Sequence, residues 1–122
     1  METTQVMING APGNVAGMLI RHVARDPRFV LLPHSLTGPE IQATVHREGD
    51  TAIRLIAPDA RRDALAAIRR RHGDFISVDF THPTAVNANA DFYCRHQLPF
   101  VMGTTGGDRD RLQASEIGRA HV

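Results

Sequence analysis

Apolar positions along this chain fall into short blocks whose period changes. Val6-Met7-Ile8-Asn9 has the length and residue types of a strand, and Gly10-Ala11-Pro12-Gly13 follows it at once. Beyond the glycines, Val15, Met18, Leu19 and Val23 recur at helical spacing. That spacing predicts a helix turning this face to the core and ending near Asp26-Pro27, because proline disfavours helix in the residue before it. Phe29–Leu32 reads as a second strand. Ile41–His46 and Thr51–Ile56, separated by the turn residues Arg47-Glu48-Gly49-Asp50, predict a hairpin. Asp59–His72 reads as a helix with Ala60, Ala64, Leu65, Ala67 and Ile68 inward or small. Phe75–Phe80 is a further strand and Thr84–His96 a helix, with Pro83 in its first turn and Val86, Ala90, Tyr93 and Cys94 sharing a face. Pro99–Met102 makes a last strand before Gly103.

Strand and helix patterns that alternate in this way predict an α/β domain. Val6–Asn9, Phe29–Leu32, Ile53–Ile56, Phe75–Phe80 and Pro99–Met102 are expected to form a parallel core with helices on both faces and a small hairpin insertion. In such a sheet ligands bind beyond the carboxyl ends of the strands. The residues leaving the fourth and fifth of these strands, Asp79-Phe80-Thr81 and Gly103-Thr104-Thr105-Gly106, should then line one crevice.

Strand, glycine turn and helix in succession form the context that a dinucleotide-binding loop requires. Gly10 permits the tight turn, Gly13 lets backbone approach a pyrophosphate, and Ala16 is small enough for close helix–sheet packing. The helix amino terminus faces the phosphates. The exit of the second strand, His34-Ser35-Leu36-Thr37-Gly38, holds no carboxylate, and Ser35 and Thr37 could donate to a phosphate. NADPH is therefore expected to bind no worse than NADH.

Composition narrows the picture only slightly. With 122 residues, 42% hydrophobic and 22% charged, the chain is of single-domain size and of ordinary globular make-up. A net charge of +1 selects no partner. Arg69-Arg70-Arg71 lacks interleaved aromatics and is expected to be a solvated helix end rather than a nucleic-acid contact. The one cysteine, Cys94, excludes an internal disulfide and fits a reducing, cytoplasmic compartment, packed toward the sheet rather than acting as a nucleophile. No Cys/His spacing marks a metal site, and no apolar run suits a signal peptide or membrane span. His82, beside the expected crevice, is taken as structural or exposed.

Asp79-Phe80-Thr81-His82-Pro83 together with Leu98-Pro99-Phe100-Val101-Met102-Gly103-Thr104-Thr105-Gly106-Gly107-Asp108-Arg109 closely resembles the 4-hydroxy-tetrahydrodipicolinate reductases, in particular their plant-type branch. The likeness runs from about Val6 to Leu112 and includes the glycine loop. It implies a Rossmann domain binding NADPH or NADH, within an enzyme that reduces a cyclic intermediate of diaminopimelate and lysine synthesis. The resemblance carries cofactor contacts onto Gly10, Ala11, Pro12, Gly13, Asn14 and Val15 of the loop, Asp79, Phe80 and Thr81 of the strand exit, and Gly103, Thr104 and Thr105 of the nicotinamide-side turn. Asn14 stands where a basic residue is common and Val15 where methionine is usual, which weakens the expected grip on phosphate.

In that family a histidine and a lysine of a carboxy-terminal domain hold and protonate the substrate, and no residue here matches them. The chain is accordingly expected to be the cofactor-binding half of a homo-oligomeric enzyme, residues 1–115, inactive alone because the substrate and oligomerisation domain is absent. Its last strand should leave an unpaired edge. Glu116–Val122 resembles one reading frame of a sequencing-library adapter and is expected to be a non-native tail. Two alternatives stand beside this reading: a non-catalytic, redox-sensing nucleotide-binding module, and a Rossmann oxidoreductase with another substrate.

Overall fold

A computed structural model describes residues 2–103 and 120–121 of the chain. Strand β1 (Thr4–Asn9) is central to a parallel sheet, with β2 (Phe29–Leu31) on one side and β6 (Ile76–Asp79) on the other. Beyond β6 lie β7 (Phe100–Met102) and the two-residue β8 (Ala120–His121), giving the order β2-β1-β6-β7-β8. The pairing of β8 supplies the neighbour that the last predicted strand was expected to lack.

Strand alternation divides the core between two faces. On β1, Met7 joins one apolar cluster and Ile8 the other, since successive side chains point to opposite faces. The Met7 side is covered by helices α2 (Arg61–His72) and α3 (Val86–Arg95), through Leu65, Ile68, Val86, Ala90 and Tyr93. The Ile8 side takes helix α1 (Asn14–Arg25) through Ala16 and Ile20.

The expected parallel core needs one correction. Ile53–Ile56 does not enter the main sheet. It forms most of β5 (Thr51–Ile56) in a second, three-stranded sheet, parallel to β3 (His34–Leu36) and antiparallel to β4 (Val45–Glu48). The break lies at Pro33: the carbonyl of Pro33 accepts from the Arg54 amide, so the chain changes sheet there. The chain still tracks β1 on either side of the change, through Leu32 N–H to Val6 O at 2.9 Å and Gly10 N–H to Leu36 O at 3.0 Å. The hairpin turn falls where expected, but its first arm begins at Val45, and Ile41–Thr44 takes no regular structure.

Helix α1 also turns differently. Its buried residues are Ala16, Gly17 and Ile20, while Val15 and Met18 are 45% and 43% exposed. The cause is the neighbour: the Glu48 carboxylate of the hairpin lies where a Cβ on Gly17 would stand, at 2.5 Å, so the Gly17 face must look toward the hairpin. Helix α2 is preceded by a 3-10 turn, Pro58–Ala60, and ends at Gly73, whose φ of 78° few side chains tolerate. Arg69, expected in solvent, instead donates from Nη2 to the His96 carbonyl and straps α2 to the end of α3.

Replacing Ile20 by alanine is expected to cost about 2–5 kcal/mol of stability. Met18→Ala should change stability by no more than about 0.5 kcal/mol. Urea unfolding of both variants checks this, and equal losses would mean that α1 presents its Val15–Met18 face inward after all.

Candidate functional site

Sheet order places a crevice between the carboxyl ends of β1 and β6, because the chain turns to β2 on one side of β1 and β6 lies on the other. A cavity of about 660 Å³ opens there. Gly10, Pro12 and Gly13 form one wall, and Phe80, Thr81 and His82 form another. The first-strand glycine turn and the fourth-strand exit picked from the sequence are thus brought together.

Close backbone approach explains the glycines. Gly10 has φ of 112°, and a Cβ there would stand 2.5 Å from the Phe80 carbonyl oxygen. No L side chain fits. A Cβ on Gly13 would meet the Gly10 carbonyl at 2.9 Å, so both glycines are needed for the loop itself as well as for anything bound to it. Gly13 starts α1, whose first turn has neither a capping side chain nor an acidic residue. The amides of Asn14 and Val15 are therefore left to an anionic ligand or to water. At the far side, the Phe80 ring lies against Gly103, 2.1 Å from where a Cβ would be. Thr104 and Thr105 lie outside the described residues.

Asp79 does not reach the cavity. It is fully buried, and one carboxylate oxygen accepts from the Thr81 amide at 2.9 Å and the Thr81 hydroxyl at 2.6 Å. The other accepts from Asn89 Nδ2 at 3.1 Å and from the Tyr93 hydroxyl. Burial first, and then the charge of Asp79, raise the Tyr93 pKa well above its ordinary value, so the phenol stays protonated and donates. Asn9 closes the network: its Nδ2 donates to the Tyr93 oxygen at 2.8 Å and its Oδ1 accepts from the Leu36 amide at 2.9 Å. Asp79 and Thr81 hence set the path of the backbone that carries Phe80, and of these three Phe80 and Thr81 line the cavity.

Ser35 and Thr37 are also buried. The Ser35 hydroxyl accepts from the Ala11 amide at 3.2 Å, and the Thr37 hydroxyl donates to the Ala11 carbonyl at 2.7 Å. They grip both sides of Ala11, itself buried beneath the glycine turn, and brace the loop from below. Both hydroxyls expected to face a phosphate are thus engaged with Ala11 here, and of the two residues Thr37 also lines the cavity.

Three contributors were not read from the sequence. Arg61, at the start of α2, lines the cavity, donating from Nη1 to Asn89 Oδ1 at 2.7 Å and from Nη2 to the Thr37 carbonyl at 3.2 Å. Its Nε is buried and has no hydrogen-bond partner among the described residues. Glu40 lines the same cavity, with its carboxylate folded over Gly38, so a carboxylate does stand at the strand exit. Asn89 joins Arg61 to Asp79. Pro58 gave a usable signal for Arg61, since it marks a helix start and helix starts in such a sheet lie at the ligand-binding end.

Residues 4–119 match the family model described as dihydrodipicolinate reductase, N-terminus. The chain belongs to the dihydrodipicolinate reductase family. A probable 4-hydroxy-tetrahydrodipicolinate reductase 2, chloroplastic, of Oryza sativa subsp. japonica is 38% identical over 110 residues, covering 90% of this chain and 34% of its own length. The 4-hydroxy-tetrahydrodipicolinate reductase 2, chloroplastic, of Arabidopsis thaliana is 36% identical over 108 residues, 88% of this chain and 30% of its own. The chain thus spans about a third of the length of these relatives. A dipicolinate-bound dihydrodipicolinate reductase from Paenisporosarcina sp. TG-14 shares the fold with a TM-score of 0.66 at 18% identity, over 94% of this chain and 42% of that one. The family match extends into the stretch expected to be a non-native tail.

Within this reductase-family domain, Tyr93→Phe removes the donor to Asp79 and the acceptor of Asn9 Nδ2 together. Each buried group left without a partner costs about 1–3 kcal/mol, so a loss in that range or above is expected. A denaturant midpoint unchanged from the parent chain would show that the network carries no stability.

Proposed function

We propose that this chain binds a nicotinamide dinucleotide in the crevice between β1 and β6, and that its parent enzyme reduces 4-hydroxy-tetrahydrodipicolinate in diaminopimelate and lysine synthesis. Membership of the reductase family makes this the nicotinamide dinucleotide-binding domain. The observation that carries the proposal is the meeting of the Gly10–Gly13 turn with Phe80 at the point where strand order reverses. The residues present suit the cofactor. An uncapped helix start without carboxylates faces a pyrophosphate, and Phe80 against Gly103 offers a flat apolar surface to a ring. The cofactor supplies hydride when bound. The chain's own part is to hold and orient it.

The preference between cofactors turns on Glu40. Ser35 and Thr37 are committed to Ala11, whereas Glu40 lies at the exit with no ion-pair partner among the described residues. A carboxylate there accepts from ribose hydroxyls and repels an added phosphate. NADH is therefore expected to bind at least as well as NADPH. Glu40→Gln should shift the ratio toward NADPH roughly fivefold, as loss of one repulsion of about 1 kcal/mol allows.

Fluorescence titration of NADH and NADPH against the full 122-residue chain tests both statements. Gly13→Val, which clashes with the Gly10 carbonyl and obstructs the phosphate approach, should weaken both by at least about tenfold, or 1.4 kcal/mol. Equal affinities would remove the loop as the site, and a clear NADPH preference in the unaltered chain would overturn the reading of Glu40. Turnover is expected to be absent from the chain alone, since positioning of substrate can contribute roughly 7–11 kcal/mol and belongs on this reading to the share of the relatives beyond it. Assay of NAD(P)H oxidation with 4-hydroxy-tetrahydrodipicolinate, within about a hundredfold of a complete reductase, would contradict that.

A further inference from the structure

A second cavity, about 390 Å³, lies at the opposite end of the small sheet, where β3 begins and α2 ends. Its rim carries Arg54 from β5, Arg71 and His72 from the end of α2, and His34 from β3, above Pro33 and Ile53. Four groups that are cationic or able to become so converge here without a carboxylate among the lining residues. None of the four takes part in an ion pair among the described residues. Such convergence raises the free energy of the ligand-free protein by mutual repulsion, and a bound anion relieves it.

The His34 ring sharpens the argument. It stands 6.2 Å from the His72 ring, edge to face, and its Nδ1 is buried with no hydrogen-bond partner among the described residues. A buried polar atom without a partner is costly. The volume falls within the roughly 300–1,000 Å³ common for small-molecule sites. Arg71 gives the sequence run Arg69-Arg70-Arg71 a use beyond solvation: Arg69 straps α3, Arg70 is exposed, and Arg71 enters this rim.

We propose that this cavity is a second ligand site, separate from the cofactor crevice, that takes a small multivalent oxyanion held by Arg54, Arg71, His34 and His72. Phosphate-bearing and carboxylate-bearing compounds share the chemistry required: several oxygens accepting from guanidinium and imidazolium groups. Binding takes up protons. In the free protein, burial and then the charges of His72, Arg54 and Arg71 lower the His34 pKa, so His34 is neutral near pH 7. Facing elements supply no opposing charge: β4 contributes Val45, and Asp74, just past α2, is exposed and lines no part of the cavity. A bound anion favours the charged ring, so the His34 pKa is raised on binding.

The test uses the full 122-residue chain, pyrophosphate and citrate as separate probes, and the imidazole NMR signals of His34 and His72, assigned from His34→Asn and His72→Asn variants. The expected result is a saturable shift of both signals with a dissociation constant of about 1 mM or tighter for at least one probe. Response to pyrophosphate alone or to citrate alone supports the site and selects phosphate or carboxylate as its ligand. Arg54→Gln with Arg71→Gln should weaken binding at least about tenfold, whereas Arg70→Gln, on the same helix turn but off the rim, should not. No saturable shift with either probe up to about 10 mM overturns the proposal. So does equal weakening by Arg70→Gln, which would mark diffuse charge rather than a site.

Discussion

The rest of the fold depends on one buried carboxylate. Asp79 ends β6 with no solvent exposure, and an ionised group so placed is stable only if fully hydrogen-bonded. Its four acceptor contacts come from the turn that follows and from α3, while Asn9 of β1 meets the same tyrosine oxygen. One charge thus fixes the relative positions of β1, β6 and α3 at the very end of the sheet where a ligand would sit. Arg61 adds α2 to this arrangement through Asn89, and through the Thr37 carbonyl it adds the exit of β3. Five elements meet within hydrogen-bond distance of one another, and the cleft walls are their outer surfaces.

Preorganisation of this kind explains why several residues named from the sequence as ligand contacts also brace the loop and the strand exit. A surface offered to a dinucleotide has to be largely backbone, because only backbone can come close enough to the pyrophosphate and still hold its own shape. Side chains near it are drawn into holding that backbone still. Ser35 and Thr37 grip Ala11, and Asp79 grips Thr81. The cavity is lined by the loop glycines, by Phe80, Thr81 and His82 of the strand exit, and by Thr37, Glu40 and Arg61.

What was legible in the sequence follows the same division. Local patterns carried the strand–turn–helix at Val6–Asn9 and the unit from Phe75 to Met102, because strand period, glycine and proline act over a few residues. The destination of Ile53–Ile56 was not legible: an apolar run states that a strand is buried, not which sheet buries it, and Pro33 reroutes its partner. Helix rotation was legible only in part, since Leu19 and Val23 pack on the core while Val15 and Met18 do not, and the reason is related. Val15 and Met18 have the right spacing for a core face, but Gly17 lets the hairpin carboxylate in, and an approach between elements is not written in either alone.

Helix α2 connects the two ends of the molecule. Its first residue, Arg61, lines the crevice between β1 and β6, and its last turn brings Arg71 and His72 to the second cavity. A helix dipole favours cations only at the carboxyl end. Arg71 and His72 therefore sit where the backbone assists them, and Arg61 sits where the backbone opposes it. What holds Arg61 is the pair of oxygens from Thr37 and Asn89, with Asp79 one hydrogen bond further on. Its buried Nε keeps one donor unmatched among the described residues, so the arginine is held less completely than Asp79 is.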